Sequence, residues 1–215
     1  MVNWIELYKS IKEFYGDEPE HKLIEYLGLI EKGKVLDLGT GCGRNSLFFS
    51  EIGFDVEAID ISHQNINKYI QKSNQLNLNT KAKVMDIRNF DITEGSYSLI
   101  IVSWVLNFFR KSEIDLIINN IKKGLKPNGI VYFTAFSTLD DYYIKNLDKS
   151  CGEKNTLYFD DYDCYRYYYD NSDEVLELFK GLEVLSVSSG MELDIDEEIG
   201  NHYHHTIEYI GKKIE

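Results

Sequence analysis

Three glycines and two aspartates in the first half of the chain have the types and spacing of a small-ligand site. Gly39, Gly41 and Gly43 fall within Val35-Leu36-Asp37-Leu38-Gly39-Thr40-Gly41-Cys42-Gly43-Arg44-Asn45, a β-prone run that ends in a glycine cluster and opens a helix-prone run. Glycine there lets backbone N–H groups approach a ligand that a Cβ would exclude, and a helix N-terminus behind it favours a carboxylate or phosphate. A dinucleotide fingerprint needs G-x-G-x-x-G. Here the third glycine comes one place early and Arg44 follows it, which counts against a nicotinamide dinucleotide. Asp60 ends the run Val56-Glu57-Ala58-Ile59, twenty-one positions after Gly39, and its two oxygens can accept hydrogen bonds from ribose hydroxyls. Asp86 ends the next β-prone run, within reach of an adenine amino group, with Ile87 to pack the ring. Three strand ends in register with one nucleoside are harder to obtain by chance than a glycine turn alone.

Further candidates lie toward both ends. His202, His204 and His205 are open to three readings: metal ligands, a general base, or the polar start of a strand. Alternation puts His202 and His204 on one face and His205 on the other. No carboxylate or cysteine stands at a ligand spacing from them, so the sequence gives no metal centre. Between Tyr158 and Tyr169 a tyrosine-rich stretch contains Arg166 and Tyr168, which could line an acceptor pocket and offer a charge to an anion, or equally form an edge strand or packing cover. Trp4, Tyr8 and Tyr15 recur at helical intervals. They suit either a core-packing face or a lid whose rings would gain ~0.5–2 kcal/mol against a cation. Cys42 is read as a small residue of the turn.

The elements that must position these groups follow from periodicity. Apolar residues from Trp4 to Tyr15 and from Leu23 to Leu27 predict two helices ahead of the sheet. Strands are expected at 34–38, 55–59, 83–85, 97–103 and 130–136, and helices at 45–52, 62–75 and 112–125, with Lys126-Pro127-Asn128-Gly129 as a turn. Such alternation means a parallel sheet covered on both faces. A helix at 172–179 and strands at 182–187 and 203–210 then predict an antiparallel hairpin on the sheet edge. One domain over 1–215 is expected, with a helical lid at 1–30, a ligand-binding half at 31–136 and an acceptor side with the hairpin at 137–215.

Composition narrows the partners. With 43% hydrophobic and 27% charged residues over 215 positions, the chain has an ordinary globular composition. It has no apolar run of membrane-spanning length and no signal-peptide pattern at Met1–Glu6, so the cytoplasm is expected, with no membrane partner. Cys42, Cys151 and Cys164 form no CxxC pair and no even framework. A formal charge of −13 without a basic run disfavours nucleic acid.

The run Asp37–Gly43 resembles the first motif of class I S-adenosylmethionine-dependent methyltransferases, Glu57-Ala58-Ile59-Asp60 the second and Val84-Met85-Asp86-Ile87 the third. Gly43-Arg44-Asn45-Ser46-Leu47, the stretch Ser98–Phe109, Leu125-Lys126-Pro127-Asn128-Gly129 and the histidine segment are similar to the tellurite-resistance-type (TehB-like) small-molecule methyltransferases. The resemblance implies an α/β, Rossmann-like fold with a mostly parallel seven-stranded sheet, helices on both faces and an antiparallel C-terminal hairpin. It implies S-adenosylmethionine as cofactor, held by Asp37, Gly39, Thr40, Gly41, Gly43, Asn45, Asp60, Ile61, Asp86, Ile87 and Ser103, with Ser103 near the sulfonium. On the acceptor side it brings forward Trp4, Tyr8, Trp104, Arg166 and Tyr168 as substrate contacts, and His202, His204 and Asn107 as catalytic candidates. The fourth β-prone run ends in Ser103-Trp104-Val105-Leu106 instead of [N/D]-P-P-[Y/F/W], which disfavours adenine and glutamine-amide acceptors. The acceptor implied is a small thiol, oxyanion, amine or chalcogen. A peptide acceptor, a noncatalytic cofactor sensor and a nucleotide-dependent oxidoreductase are the competing readings.

Overall fold

Alternation of apolar side chains decides the architecture. In β1 (Lys34–Leu38) Leu36 and Leu38 point to one face and Val35 to the other; in β4 (Tyr97–Ser103) Ile100 and Val102 oppose Leu99 and Ile101. Strands apolar on both faces must be covered on both, and a parallel sheet sandwiched by helices satisfies that. The computed structural model describes residues 18–196 and 200–214. It has a seven-stranded sheet in the order β3-β2-β1-β4-β5-β9-β8. β2 (Asp55–Asp60), β3 (Lys81–Val84) and β5 (Leu125–Phe136) run parallel to β1 and β4, and β9 (Gly200–Lys212) is antiparallel to both β5 and β8 (Glu183–Asp196).

One face is covered by α4 (Lys111–Gly124) through Ile114, Ile117, Ile118 and Ile121, and by α6 (Ser172–Leu178) through Val175. On the other, Leu23 of α1 (His21–Glu25) and Phe49 of α2 (Arg44–Glu51) meet Val35, Val56, Leu99 and Tyr132. α3 (His63–Gln75) buries Ile66 and Tyr69, and the Ser62 hydroxyl caps it by accepting from Asn65 N–H. α5 (Asp141–Lys145) follows β5. A separate two-stranded sheet pairs β6 (Thr156–Phe159) with β7 (Cys164–Tyr167) inside the tyrosine-rich stretch.

Two expectations need correction. The turn expected at 126–129 lies within β5, where Asn128 takes φ 63° and the β4–β5 register shifts. The hairpin strands are much longer than the expected 182–187 and 203–210. Ladder pairing of β9 with β5 starts at Thr206, Ser137 N–H still donates to His205 C=O, and residues 200–204 pair with β8 and run past the sheet. The segment Gly200-Asn201-His202-Tyr203-His204-His205 carries no apolar alternation by which to find it.

Candidate functional site

The glycine turn sits where β1 gives way to α2. Gly39, Gly41 and Gly43 take φ of 72°, 59° and 88°, a region that side chains with a Cβ enter only at a cost. A Cβ on Gly39 would lie 2.4 Å from Val105, and one on Gly43 2.1 Å from the Tyr69 ring, whereas one on Gly41 would meet nothing within 4 Å. The first and third glycines are therefore closed in by packing, and the second faces open space.

Two carboxylates hold the turn. Asp37 is 2% exposed, and its Oδ2 accepts from Ser46 Oγ at 2.6 Å and Thr40 Oγ1 at 2.8 Å. Burial pushes its carboxyl up to about 6, against the pull of those hydroxyls. Asp60, also buried, accepts from Gly41 N–H at 2.9 Å on Oδ2 and from Ser62 N–H at 2.8 Å on Oδ1, and burial raises its pKa as well. Each Asp60 oxygen keeps a lone pair for a ligand. Asp37 and Thr40, expected as cofactor contacts, meet each other and Ser46 through Asp37 Oδ2 and Thr40 Oγ1. Ile61 is exposed beside Asp60.

Asp86 lies two residues beyond β3 and caps the 3-10 turn at Ile87–Asn89 by accepting from Arg88 N–H. Its carboxylate pairs with the Arg88 side chain, which also reaches Glu113, and burial of Ile87 in the core leaves little of it for a ring. Arg88 and burial act in opposite senses on Asp86, and the net effect holds its carboxyl below the usual range.

The end of β4 is strained. Trp104 takes φ 56°, an outlier for a bulky side chain, its N–H donates to Thr134 Oγ1 at 3.1 Å, and its ring tilts against Phe136 at 4.9 Å. Glu20, which belongs to no motif or spacing pattern, gathers this edge: its Oε1 accepts from Ser103 Oγ at 2.6 Å and Trp104 Nε1 at 2.9 Å, and it pairs with Arg44. The Glu20 N–H donates to Asn45 Oδ1 at 3.0 Å, tying the entry segment to the glycine turn.

Asn107, one of the catalytic candidates, lies in the core. It is fully buried, its Nδ2 donates to Tyr167 O at 2.6 Å and its Oδ1 accepts from Phe136 N–H at 3.2 Å, so it joins β5 to β7. Arg166 and Tyr168 do meet, in an aromatic chamber beside Phe136. The Arg166 guanidinium lies 5.2 Å from the Phe108 ring, 5.1 Å from Tyr142 and 5.7 Å from Phe159, with no carboxylate partner among the described residues. The Tyr168 hydroxyl is buried without a hydrogen-bond partner, and burial pushes it up to about 12 against the pull of Arg166. Trp4 and Tyr8 lie outside the described residues.

The histidine segment, from which no carboxylate stands at a ligand spacing in the sequence, meets two carboxylates in the fold. Asp140, which caps α5, accepts from His204 Nδ1 at 2.7 Å and from His205 N–H at 3.1 Å. Asp194 pairs across the hairpin with His202, and with His202 and His204 it forms a group of metal-ligand type. His205 turns to the opposite face, where its Nδ1 meets Ser137 Oγ at 2.6 Å. Asp140 is far from the histidines in sequence and is brought in by the end of β5, whereas Asp194 lies eight residues before His202 and is brought opposite it by the β8–β9 register.

Comparison with known proteins agrees with this arrangement. The sequence profile of the family described as Tellurite resistance protein TehB matches residues 10–180. Over 119 residues the chain is 32% identical to a Haemophilus influenzae protein named Probable S-adenosyl-L-methionine-dependent methyltransferase TehB, which is 55% of this chain but 41% of that protein. The chain thus spans less than half the length of that relative. The crystal structure of TehB from Haemophilus influenzae superposes with a TM-score of 0.73 at 24% identity, covering 91% of this chain and 62% of that one. Burkholderia thailandensis 1,6-didemethyltoxoflavin-N1-methyltransferase, solved with 1,6-didemethyltoxoflavin and S-adenosylhomocysteine, superposes with a TM-score of 0.66 at 15% identity, covering 99% and 83%. At these identities the two structures establish the fold, a Rossmann-like methyltransferase sheet, and the profile over most of the chain establishes the kinship: this protein belongs to the TehB family.

Proposed function

We propose that the chain transfers a methyl group from S-adenosylmethionine to a small nucleophile held between the glycine turn and the histidine hairpin. When bound, S-adenosylmethionine supplies an electrophilic methyl group on a positively charged sulfur. The observation that carries the reading is the glycine turn, open only at Gly41, with the buried Asp60 carboxylate fixed beside it and two lone pairs to spare. Asp60 accepts the ribose hydroxyls, Ile61 covers the base, and Asp86 with Ile87 bounds the adenine side. Gly41 meets the methionyl part, with Gly39, Gly43 and Asn45 holding the turn behind it and Asp37 and Thr40 bracing it. Glu20 and Ser103 lie where the sulfonium is expected, with the Glu20 carboxylate shared among Ser103, Trp104 and Arg44, whose charge offsets its own.

On the acceptor side, Arg166 and Tyr168 offer a cation and an unpartnered hydroxyl to an anionic group, in a chain whose net charge of −13 otherwise repels anions. Trp104 and Phe136 form the wall, and His202 and His204 stand at the acceptor's reacting atom. Methyl transfer to a soft or ionised nucleophile depends chiefly on alignment and exclusion of water, for which ~7–11 kcal/mol is available. A cytoplasmic enzyme acting on a free metabolite fits the composition.

The test is release of S-adenosylhomocysteine from S-adenosylmethionine with small thiols, chalcogen oxyanions and amines, each with and without a carboxylate. Turnover is expected with a carboxylate-bearing acceptor, and Arg166→Met is expected to raise its KM by about 10–150-fold, the value of a charge-assisted hydrogen bond. Cofactor binding without turnover on any of these classes would contradict the assignment.

A further inference from the structure

His202 Nε2, His204 Nε2 and Asp194 Oδ2 converge on one point. The two nitrogens lie 3.1 Å apart, and the same carboxylate oxygen lies 3.7 Å from one and 3.8 Å from the other. The oxygen is too far from either nitrogen for a hydrogen bond and almost equidistant from both. A triangle of these sides has a centre about 2.1 Å from every corner, which is the distance zinc keeps from imidazole nitrogen and carboxylate oxygen.

The orientation of His204 points the same way. With Nδ1–H donated to Asp140, the neutral ring presents a lone pair at Nε2 toward the other two atoms. A carboxylate behind a ligating imidazole is the usual support of a metal-bound histidine, fixing its tautomer and raising its basicity. The ring also packs on Phe136 at 4.7 Å, and Phe136 packs on Trp104, so the point lies on the acceptor side of the β4 end. The three side chains remain 16–27% exposed, so an ion can enter from solvent.

We propose that Asp194, His202 and His204 bind a divalent transition-metal ion of the zinc class, with an open position for the acceptor's nucleophilic atom. Three protein ligands and a vacant fourth position are typical of reactive zinc sites. Resting on the methyl-transfer reading above, the ion's role there is to hold a thiol or similar acid as its anion. The proton leaves to solvent, the anion's lone pair forms the new bond to the methyl carbon, and the electrons of the breaking carbon–sulfur bond return to the sulfonium sulfur as neutral S-adenosylhomocysteine. Asp140 is a positioning residue that acts through His204.

The experiment is calorimetric titration of chelator-treated, full-length protein with zinc, repeated with cobalt(II) and read by its d–d absorption. One equivalent of tightly bound zinc is expected, with a cobalt spectrum of four-coordinate type. Asp194→Asn and His202→Gln should each weaken zinc by at least ~100-fold, and Asp140→Asn by ~10–100-fold. Thermal unfolding and S-adenosylhomocysteine binding, which these side chains do not serve, check that each variant folds. Absence of a stoichiometric site, or zinc affinity unchanged by the substitutions, overturns the metal assignment; the two histidines then share a proton. Zinc bound tightly by a protein that does not bind S-adenosylhomocysteine upholds the metal site and overturns the methyltransferase reading instead.

Discussion

Asp37 shows what the glycine turn costs at the scale of one residue. Its carboxyl is pushed from 3.8 up to about 6 by burial, so between those values the native state holds a proton that the unfolded chain has released. Stability from this group is therefore present below pH 4 and lost as pH rises through 6, by on the order of 3 kcal/mol. Chemical denaturation of Asp37→Asn beside the parent protein from pH 4 to 7 should show the variant gaining relative stability by about that amount; parallel curves would mean that Asp37 is not the titrating group. Asp60, raised by burial in the same sense, is the carboxylate the turn keeps for a ligand. Asp60→Ala should weaken S-adenosylmethionine by about 10–150-fold, corresponding to ~1.5–3 kcal/mol, and an unchanged Kd would remove Asp60 from the ribose. Asp60 and the glycines were legible in the sequence because strand-end spacing exposes them. Glu20 and Asp140 were not, since each reaches its partners from a distant element, and Asp194 was not because only the β8–β9 register sets it opposite His202.

At the scale of elements, the turn, β4 and the hairpin each carry a separable prediction. Gly43→Ala forces a Cβ into the Tyr69 ring at φ 88° and should destabilise by ~2–4 kcal/mol, with cofactor affinity falling as a consequence. Gly41→Ala meets no protein atom, so it should lose only about 1–2 kcal/mol of stability while weakening the cofactor more sharply. Equal losses of affinity and stability in both variants would show that the open face at Gly41 is not a ligand surface. Asn107→Ala should destabilise by ~2–4 kcal/mol because Phe136 N–H and Tyr167 C=O lose their buried partner, and urea titration reads this directly. The parallel half of the sheet was legible from its two-faced apolar strands. The extended ends of β8 and β9 were not expected: β9 opens on residues 200–205 without apolar alternation, whereas Met191-Glu192-Leu193-Asp194-Ile195-Asp196 does alternate and could have marked the end of β8, and it is those ends that carry the histidine site.

For the whole molecule, a ligand that binds only the folded chain must raise its stability. S-adenosylhomocysteine at about a hundred times its Kd should add ~2.7 kcal/mol, raising Tm by roughly 5–10 °C for a chain of this size. Family membership rests on a profile that covers most of the chain, while the chain itself spans 41% of one relative's length. The activity must therefore be measured on this protein. Among the described residues no helix is long and apolar enough to cross a membrane. The most direct measurement is calorimetric titration with S-adenosylmethionine and S-adenosylhomocysteine, with NADH in parallel. Micromolar binding of the first two and none of NADH is the predicted result; failure of both to bind, or binding of NADH in their place, would contradict the account.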